Sequence, residues 1–391
     1  MTHRVLLVGL VTLASGAAAA EAQTASPFDH IEAVVERGIM RGVYPGAVVV
    51  IGRADRVLYA RGFGHYTWNP NSLAPSPDTS LWDIASISKV VGTTSAIMVL
   101  VERGQVQPDA PVSRYLPRFR GPNKEDVTVR MLLDHTSGLP SYVQFFKLTK
   151  ERDRAIELLY QEPLRRRPGS EAVYSDLNAL LLGLLVEAVS GETLDAFVSR
   201  EVFHPLGMTS TRYRPTGTDR KRAVPTGQWR GHPIGGEVND QNAVVFGGAA
   251  GHAGIFSTGI DLARFAQMWL NEGRTPGGRF LRAETLRQFL ARRQEAGSRL
   301  LGWDTPERAP NRLSVFGNLL SEQAYGHTGW TGTKMWIDPG RDLFLIFLTN
   351  RSFHPKVRGS ISELRAVRSQ LSDAVVRAVP GACEAVAYPE C

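Results

Sequence analysis

Cysteine is scarce in this sequence, and its position limits what it can do. Only two of the 391 residues are cysteine, Cys383 and Cys391, both at the extreme C-terminus. The rest of the chain therefore has no thiol nucleophile and no cysteine ligand for a metal. In an oxidising compartment a disulfide across this short loop would tie down the tail. The nine histidines show no metal-binding spacing, so we predict neither a metal nor another cofactor.

Lysine is also scarce, with seven lysines against 38 arginines and a net charge of +7. The densest basic run, Arg165-Arg166-Arg167, is three residues long and no nucleic-acid motif accompanies it. We therefore interpret it as solvated surface and do not expect a nucleic-acid partner. Attraction to an anionic cell-wall polymer or to lipid head groups stays open.

Uncharged apolar runs are few, and the first one lies at the N-terminus. Residues 1–22 contain a short positive start, an apolar stretch over Val5–Ala20 and small residues around Ala22. This pattern is typical of a signal peptide cleaved near Ala22. A membrane anchor is the competing interpretation, but the apolar stretch is short and runs into a cleavage pattern. We predict an exported protein, periplasmic or secreted, without a stable membrane anchor.

Strand patterns occur at both ends of the chain and helical patterns in the middle. Ala47–Ile51 and Val57–Gly64 form one predicted hairpin, and Thr331–Ile337 and Leu343–Asn350 form another. The predicted fold is α/β (α+β), with an antiparallel sheet built from N- and C-terminal strands and flanked by helices. A mostly helical domain is inserted into it.

The domain boundaries follow from the same patterns. We assign residues 27–84 and 243–379 to the sheet domain, 85–242 to the helical domain and 380–391 to a C-terminal tail. The glycine-dense stretch 247–254 lacks the lysine and serine of a phosphate loop, so we interpret it as tight backbone beside a cleft.

One short segment carries candidate chemistry. Ser86 lies three residues before Lys89, at the start of an apolar run, so a helix would place both side chains on one face. A nearby amine can activate a serine that is otherwise nearly inert. About 0.4 such pairs are expected by chance in a chain with seven lysines, so the motif needs partners.

Two further segments supply such partners. Tyr174-Ser175-Asp176 precedes an apolar helix, where a phenol could relay protons to a serine. His327-Thr328-Gly329 precedes the second hairpin and offers a cation, a hydroxyl donor and room for substrate.

The order of these three motifs resembles that of the serine penicillin-recognising enzymes, which include class C β-lactamases, D-alanyl-D-alanine carboxypeptidases and related esterases. The similarity runs from about Pro27 to Val379. It includes three supporting passages: Leu132–Leu139, Pro205–Met208 and Asp261–Phe265. The resemblance implies a class C β-lactamase-like fold with the active site between the two domains.

The resemblance also implies roles for single residues. Ser86 would be the nucleophile that forms an acyl-enzyme, and Lys89 would shuttle protons with a pKa depressed by burial near cations. Tyr174 would be the general base toward Ser86 and the acid toward the leaving group. The backbone N–H groups of Ser86 and Trp330, the residue after His-Thr-Gly, would form the oxyanion hole.

Two positions depart from the class C pattern. The class C enzymes have lysine where this chain has His327 and asparagine where it has Asp176. His327 and Thr328 are expected to hold a substrate carboxylate, with Gly329 allowing close approach. Protonation of His327 would then make activity pH-dependent near neutrality. An ionised Asp176 cannot donate a hydrogen bond to a substrate carbonyl.

These departures guide the functional prediction. We expect a serine hydrolase acting on a small molecule or a peptidoglycan peptide, with carboxypeptidase-like or esterase-like specificity. A β-lactamase is the alternative, and a penicillin-binding sensor without turnover is the alternative of another class. A Ser-His-Asp triad with His135 or His252 is disfavoured, because Ser86 lacks the Gly-x-Ser-x-Gly setting.

Overall fold

The computed structural model describes most of the chain. The described residues are 1, 26–229, 232–307, 314–353, 359–387 and 391. The predicted signal peptide therefore lies, apart from Met1, outside the described residues.

Helices and strands alternate irregularly along the described residues. The α-helices are α1 (Asp29–Met40), α2 (Ser95–Glu102), α3 (Val129–Leu133), α4 (Phe145–Leu148), α5 (Arg152–Gln161), α6 (Asp176–Ser190), α7 (Leu194–Val198), α8 (Gly217–Lys221), α9 (Gln241–Val245), α10 (Gly259–Leu270), α11 (Ala283–Leu290) and α12 (Ile361–Ala378). The strands are β1 (Gly46–Gly52), β2 (Val57–Gly64), β3 (Trp82–Asp83), β4 (Arg212–Tyr213), β5 (Gly227–Trp229), β6 (His232–Ile234), β7 (Ile255–Ser257), β8 (Arg274–Thr275), β9 (Gly278–Arg279), β10 (Tyr325–Thr328), β11 (Lys334–Asp338) and β12 (Leu343–Thr349).

The main sheet joins the two ends of the chain. Its order is β10-β11-β12-β1-β2, and every neighbouring pair is antiparallel. Val49 lies opposite Phe347, and Met335 lies opposite Ile346. β1 and β12 are buried along their whole length, which explains why both read as continuous apolar runs. The predicted antiparallel sheet from N- and C-terminal strands is confirmed.

Helices cover both faces of this sheet. α1 and α12 place residues such as Val35 and Val375 in a core with the outward side chains of β1 and β12. α10 packs on the opposite face, where a Cβ on Gly259 would lie 2.7 Å from a Val50 methyl group. This close approach explains a glycine in the first turn of α10.

The predicted helix after Ser86 is continuous over residues 85–102 but irregular. A 3₁₀ turn (Ala85–Ile87) leads into a π-helical segment (Lys89–Thr94) and then into α2. Within the described residues, the helix over residues 85–102 is the one helix that is long and apolar enough to cross a membrane. The bent pair Asp176–Ser190 and Leu194–Phe203 would be a second candidate if the two helices formed one span. Because 83% of residues 85–102 are buried inside the fold, we interpret it as a core helix.

Several local predictions need correction. Thr331 to Thr333 form a turn rather than strand, and β11 begins at Lys334. His327 and Thr328 belong to a separate edge strand, β10, which the sequence pattern did not reveal. At the C-terminus, Cys383 and Cys391 form a disulfide.

Candidate active site

The segment before Ser86 is held in an unusual backbone conformation. Ala85 has a φ of 48°, which is uncommon for a residue with a side chain. The buried Asp83 carboxylate fixes this turn, accepting from the N–H of Ala85 at 2.9 Å and of Asn239 at 2.7 Å. Burial raises the pKa of Asp83 to about 6, while these two N–H groups oppose the rise.

Ser86 and Lys89 meet as the spacing predicts. Lys89 Nζ donates to Ser86 Oγ at 2.9 Å and to the carbonyl oxygen of His252 at 3.0 Å. It also forms an ion pair with Asp176 Oδ1 at 2.7 Å. Ser175 caps α6 by accepting from the Leu177 N–H, and this cap places Asp176 at the first helical position.

The charge of Lys89 corrects one expectation. We expected cations nearby to depress its pKa. Burial does act in that direction, but the Asp176 carboxylate and the Tyr174 hydroxyl outweigh it, and the pKa of Lys89 is raised. Lys89 is therefore an ammonium in the resting site. Asp176, where class C enzymes have asparagine, is the reason.

Tyr174 completes the cluster around the serine. Lys89 and Ser86 both lie close enough to its hydroxyl to lower its pKa. Lys89 Nζ lies 5.0 Å and the Arg299 guanidinium carbon 5.1 Å from the centre of its ring. Burial raises the pKa of Tyr174 although the Lys89 charge lowers it, so the phenol is neutral and can donate and accept a proton.

His327 does not carry the charge that we expected. Its Nδ1 lies 2.9 Å from the Thr328 carbonyl oxygen, and its ring centre is 5.8 Å from that of Tyr174. Burial first, and then the charges of Lys89 and Arg299, lower the pKa of His327 to about 3. His327 is therefore neutral near pH 7. The expectation that a protonated His327 holds a substrate carboxylate, with a titration near neutrality, is therefore wrong.

The turn after His327 approaches the nucleophile closely. A Cβ on Gly329 would lie 2.7 Å from the Ile84 carbonyl oxygen and 3.1 Å from the Ala85 Cβ, so only glycine fits. Trp330 follows with 69% of its surface exposed. Within the described residues, the backbone N–H groups of Ser86 and Trp330 donate to no protein acceptor. Both predicted oxyanion donors are thus available to a ligand.

Sequence reasoning missed a polar pair behind Lys89. His252 Nε2 lies 2.9 Å from Asp240 Oδ1, and Asp240 also caps α9 by accepting from Ala243 N–H. The His252 carbonyl accepts from Lys89, so the pair fixes one wall of the lysine site. The only sequence signal was the glycine-dense stretch around His252, which we predicted to be tight backbone near a cleft.

These groups also offer metal-ligand atoms. A carboxylate oxygen of Asp176, a carboxylate oxygen of Asp240 and a ring nitrogen of His252 all lie within 4.8 Å of one another. Lys89 already neutralises Asp176, and His252 already bonds to Asp240. The arrangement therefore works as a protein network around an ammonium group.

His135 has a supporting place in the structure. Its Nδ1 lies 3.2 Å from the donating Ser175 N and 3.1 Å from the Asn178 side-chain nitrogen, and its ring centre is 4.8 Å from that of Tyr174. Burial, followed by the charge of Arg299, lowers the pKa of His135, which is therefore neutral. This ring packs against the Tyr174 ring, and the described structure shows no hydrogen bond from His135 to Ser86.

Comparison with known proteins agrees with this arrangement. The sequence model of the family described as "Beta-lactamase" matches residues 29–368. The chain belongs to the β-lactamase family. An Escherichia coli K12 protein named "Putative D-alanyl-D-alanine carboxypeptidase" is 31% identical over 346 residues, covering 80% of each chain. A Bacillus subtilis N-acetylmuramyl-L-alanine amidase is 32% identical over 361 residues, covering 84% of this chain and 81% of that protein.

A solved structure shows the same fold. The β-lactamase/D-alanine carboxypeptidase of Pseudomonas syringae superposes with a TM-score of 0.72 at 18% identity, covering 90% of this chain and 99% of that one. The class C β-lactamase-like fold predicted from the three motifs is confirmed. Family membership and the names of the relatives support a hydrolase.

Proposed function

We propose that this protein is an exported serine hydrolase that cleaves an amide bond of peptidoglycan peptides through an acyl-enzyme on Ser86. The favoured specificity is D-alanyl-D-alanine carboxypeptidase-like. One observation carries the proposal: Lys89 Nζ donates to Ser86 Oγ at 2.9 Å and lies 5.0 Å from the centre of the Tyr174 ring, so the three side chains form one cluster. The E. coli relative, named as a carboxypeptidase, supports the substrate class.

Acylation uses the neutral phenol as a relay. Ser86 Oγ attacks the scissile carbonyl carbon while the Ser86 proton passes to the Tyr174 oxygen, in one concerted relay in which Tyr174 gives up its own proton and so stays neutral. The carbonyl oxygen becomes an oxyanion that the N–H groups of Ser86 and Trp330 stabilise. Tyr174 gives its own proton to the leaving amine as the carbon–nitrogen bond breaks. The ammonium group of Lys89 stabilises the negative charge that develops on Ser86 Oγ and on the Tyr174 oxygen during these proton transfers.

Deacylation reverses the relay with water as the nucleophile. The water oxygen attacks the acyl carbon while a water proton passes to the Tyr174 oxygen. The Tyr174 hydroxyl in turn gives a proton to Ser86 Oγ when the ester breaks. The product acid leaves and the resting site is restored. No group outside this cluster is required for the proton balance.

A second candidate is cleavage of a muramyl–L-alanine amide. In a carboxypeptidase substrate the leaving residue carries a free carboxylate, and the neutral His327 provides no charge for it. A muramyl–L-alanine bond has no carboxylate on the leaving residue, because that residue continues into the peptide. The 32% identical amidase supports this candidate independently.

The two candidates predict different products. Purified protein lacking residues 1–22 is incubated with diacetyl-L-Lys-D-Ala-D-Ala and, separately, with a muramyl tripeptide that lacks D-Ala-D-Ala. Release of D-alanine from the first supports the carboxypeptidase, and release of the tripeptide from the second supports the amidase. Ser86→Ala is expected to abolish either reaction, whereas the surface variant Ser170→Ala retains it.

The same samples test the alternatives. Turnover of a penicillin with neither peptide cleaved would replace the proposal by a β-lactamase. A permanent penicillin adduct without any turnover would replace it by a binding protein. Equal activity in wild type and Ser86→Ala would contradict the serine mechanism itself.

A further inference from the structure

Arg368 is a buried cation that the proposed mechanism has not used. It lies on α12 beneath the turn that follows His327, with 5% of its surface exposed. Within the described residues it forms no ion pair with a carboxylate. A buried guanidinium is costly unless its donors are satisfied, so its partners indicate what it is held for.

All partners of this guanidinium belong to one turn. Arg368 Nη2 donates to the carbonyl oxygens of Gly329 and Thr333, each at 2.8 Å, and Nε donates to that of Gly332 at 3.3 Å. The planar guanidinium of Arg368 thus joins the carbonyl groups of Gly329 and Thr333, the first and last residues of the turn, on the side of the turn next to α12.

The opposite side of the same turn is fastened to the nucleophile segment. Thr331 Oγ1 donates to the Asp83 carbonyl oxygen at 2.9 Å, and Thr333 Oγ1 donates to that of Ile84 at 3.2 Å. The turn is therefore clamped between Arg368 and the residues that precede Ser86.

The bond to Gly329 matters most. The Gly329 carbonyl and the Trp330 N–H are the two ends of one planar peptide group, and they point in opposite directions. A charged donor at the oxygen fixes the plane of this group and withdraws electron density, which makes its N–H a stronger donor. That N–H is the predicted oxyanion donor, and no described protein acceptor occupies it.

We propose that Arg368 is the positioning residue of the oxyanion hole: its guanidinium holds and polarises the Gly329–Trp330 peptide so that the Trp330 N–H stabilises the oxyanion formed at Ser86. This inference rests on the proposed acyl-enzyme mechanism and deepens it. Arg368 acts through the peptide and touches no reacting atom.

The surroundings of Arg368 agree with this role. Burial, followed by the charges of Arg351 and Arg365, lowers the pKa of Arg368 to about 9, so it keeps its charge near pH 7. The neighbouring Lys334 donates to the Arg368 carbonyl oxygen at 2.9 Å and to Ser372, and no carboxylate neutralises it in the described structure. The Arg368 guanidinium therefore carries positive charge beneath the turn without a carboxylate partner in the described structure, which favours an oxyanion above it.

The test separates transition-state stabilisation from folding and from substrate binding. Arg368→Gln and Arg368→Lys are compared with Arg365→Gln, which removes an exposed charge one turn earlier on α12. For each variant kcat and KM are measured with the substrate that wild type cleaves. The affinity of a boronic acid is measured as well, because its tetrahedral Ser86 adduct places an oxygen in the oxyanion hole.

The expected pattern is specific. Arg368→Gln lowers kcat by about 10–100-fold with KM within about twofold, since loss of an entire donor typically costs about 10²–10³. Boronic acid affinity falls by the same factor. Arg368→Lys, which keeps the charge but cannot span all three carbonyls, lies between Arg368→Gln and wild type, and Arg365→Gln matches wild type.

Three results would overturn the inference. The first is unchanged kcat in both Arg368 variants. The second is an equal loss in Arg365→Gln. The third is a fall in kcat without any loss of boronic acid affinity.

A variant that does not fold still leaves a test. If Arg368→Gln does not fold, Arg368→Lys decides: wild-type kcat and boronic acid affinity contradict the inference, and parallel losses of both support it. If wild type shows no Ser86-dependent hydrolysis, the proposed function fails first and removes the basis of this inference.

Discussion

Two buried lysines lie in this molecule in contrasting surroundings. Lys89, on the helical side of the cleft, meets the Asp176 carboxylate at 2.7 Å, and its pKa is raised. Lys334, in the sheet, donates only to the Arg368 carbonyl oxygen and Ser372, and burial lowers its pKa. Both side chains are shielded from water, so the difference in their pKa shifts comes from their partners: a carboxylate for Lys89, and a carbonyl oxygen and a hydroxyl for Lys334. Asp176 thus keeps Lys89 an ammonium beside Ser86.

The same contrast extends to the two sides of the candidate site. Asp176 and Asp240 place carboxylates around Lys89, and His252, followed by the Ala243 N–H and Lys89, holds the pKa of Asp240 below its usual range despite its burial. On the strand side, His327 is neutral and Arg368 bonds only to carbonyl oxygens. In the proposed mechanism, the side that holds Lys89 supplies proton transfer, and the side that holds His327 and Arg368 supplies donors to an oxyanion.

The largest expected effect comes from removing each lysine in turn. Lys89→Met should reduce kcat by roughly 10²–10⁴-fold, because it removes the charge next to Ser86 and Tyr174. It also leaves Asp176 without its cation, which should cost up to about 3 kcal/mol of unfolding free energy, less than for a fully buried pair. Lys334→Met removes a buried amine whose pKa is lowered by burial and by the Arg368 charge and that forms no ion pair in the described structure, so stability should change by about 1 kcal/mol or less.

Urea denaturation and steady-state kinetics measure both effects on the two variants. If Lys334→Met lost as much activity as Lys89→Met, the distinction between the two lysines would be wrong.

The next effect concerns the pH profile. Asp176→Asn removes the carboxylate that raises the pKa of Lys89, so the limb of the pH–rate profile set by Lys89 should move to lower pH. The shift should be about 1–3 pH units, the size expected for loss of an adjacent opposite charge. Rates of wild type and Asp176→Asn are compared from pH 5 to 10, with Asp55→Asn on an exposed turn as the control. An unmoved profile would show that Asp176 does not control Lys89.

The smallest effect concerns acid stability. The folded His327 has a pKa of about 3, whereas an unfolded histidine titrates near 6.5, so between these values only the unfolded state binds the proton. Stability therefore falls as pH drops through this window, by up to about 1.4 kcal/mol per pH unit from this group. His327→Asn should reduce that slope, whereas His30→Asn, an exposed position, should not. Chemical denaturation at pH 4 to 7 measures the slopes, and equal slopes in all three proteins would contradict the burial of a neutral His327.

Local patterns in the sequence predicted much of the fold. Alternating and continuous β-branched runs gave both hairpins, because strand burial depends mainly on the residues themselves. The edge strand β10 was missed because Tyr325–Thr328 is short and has no alternation.

The site was predicted in its members but not in its charges. Ser86, Lys89 and Tyr174 meet because helix spacing and the motif order bring them together. The charges of Lys89 and His327 depend on burial and on partners distant in sequence, such as Asp176, which no local pattern shows. The Asp240–His252 pair and the Arg368 clamp arise in the same way.

The most direct test of the central claim is the identity and lifetime of a covalent adduct. Wild type, Ser86→Ala and Lys89→Met are mixed with a fluorescent penicillin and followed by intact-protein mass spectrometry, with peptide mapping of any modified residue. The account predicts one adduct on Ser86 in wild type, none in Ser86→Ala and much slower formation in Lys89→Met. An adduct on another residue, or equal labelling of wild type and Ser86→Ala, would contradict it.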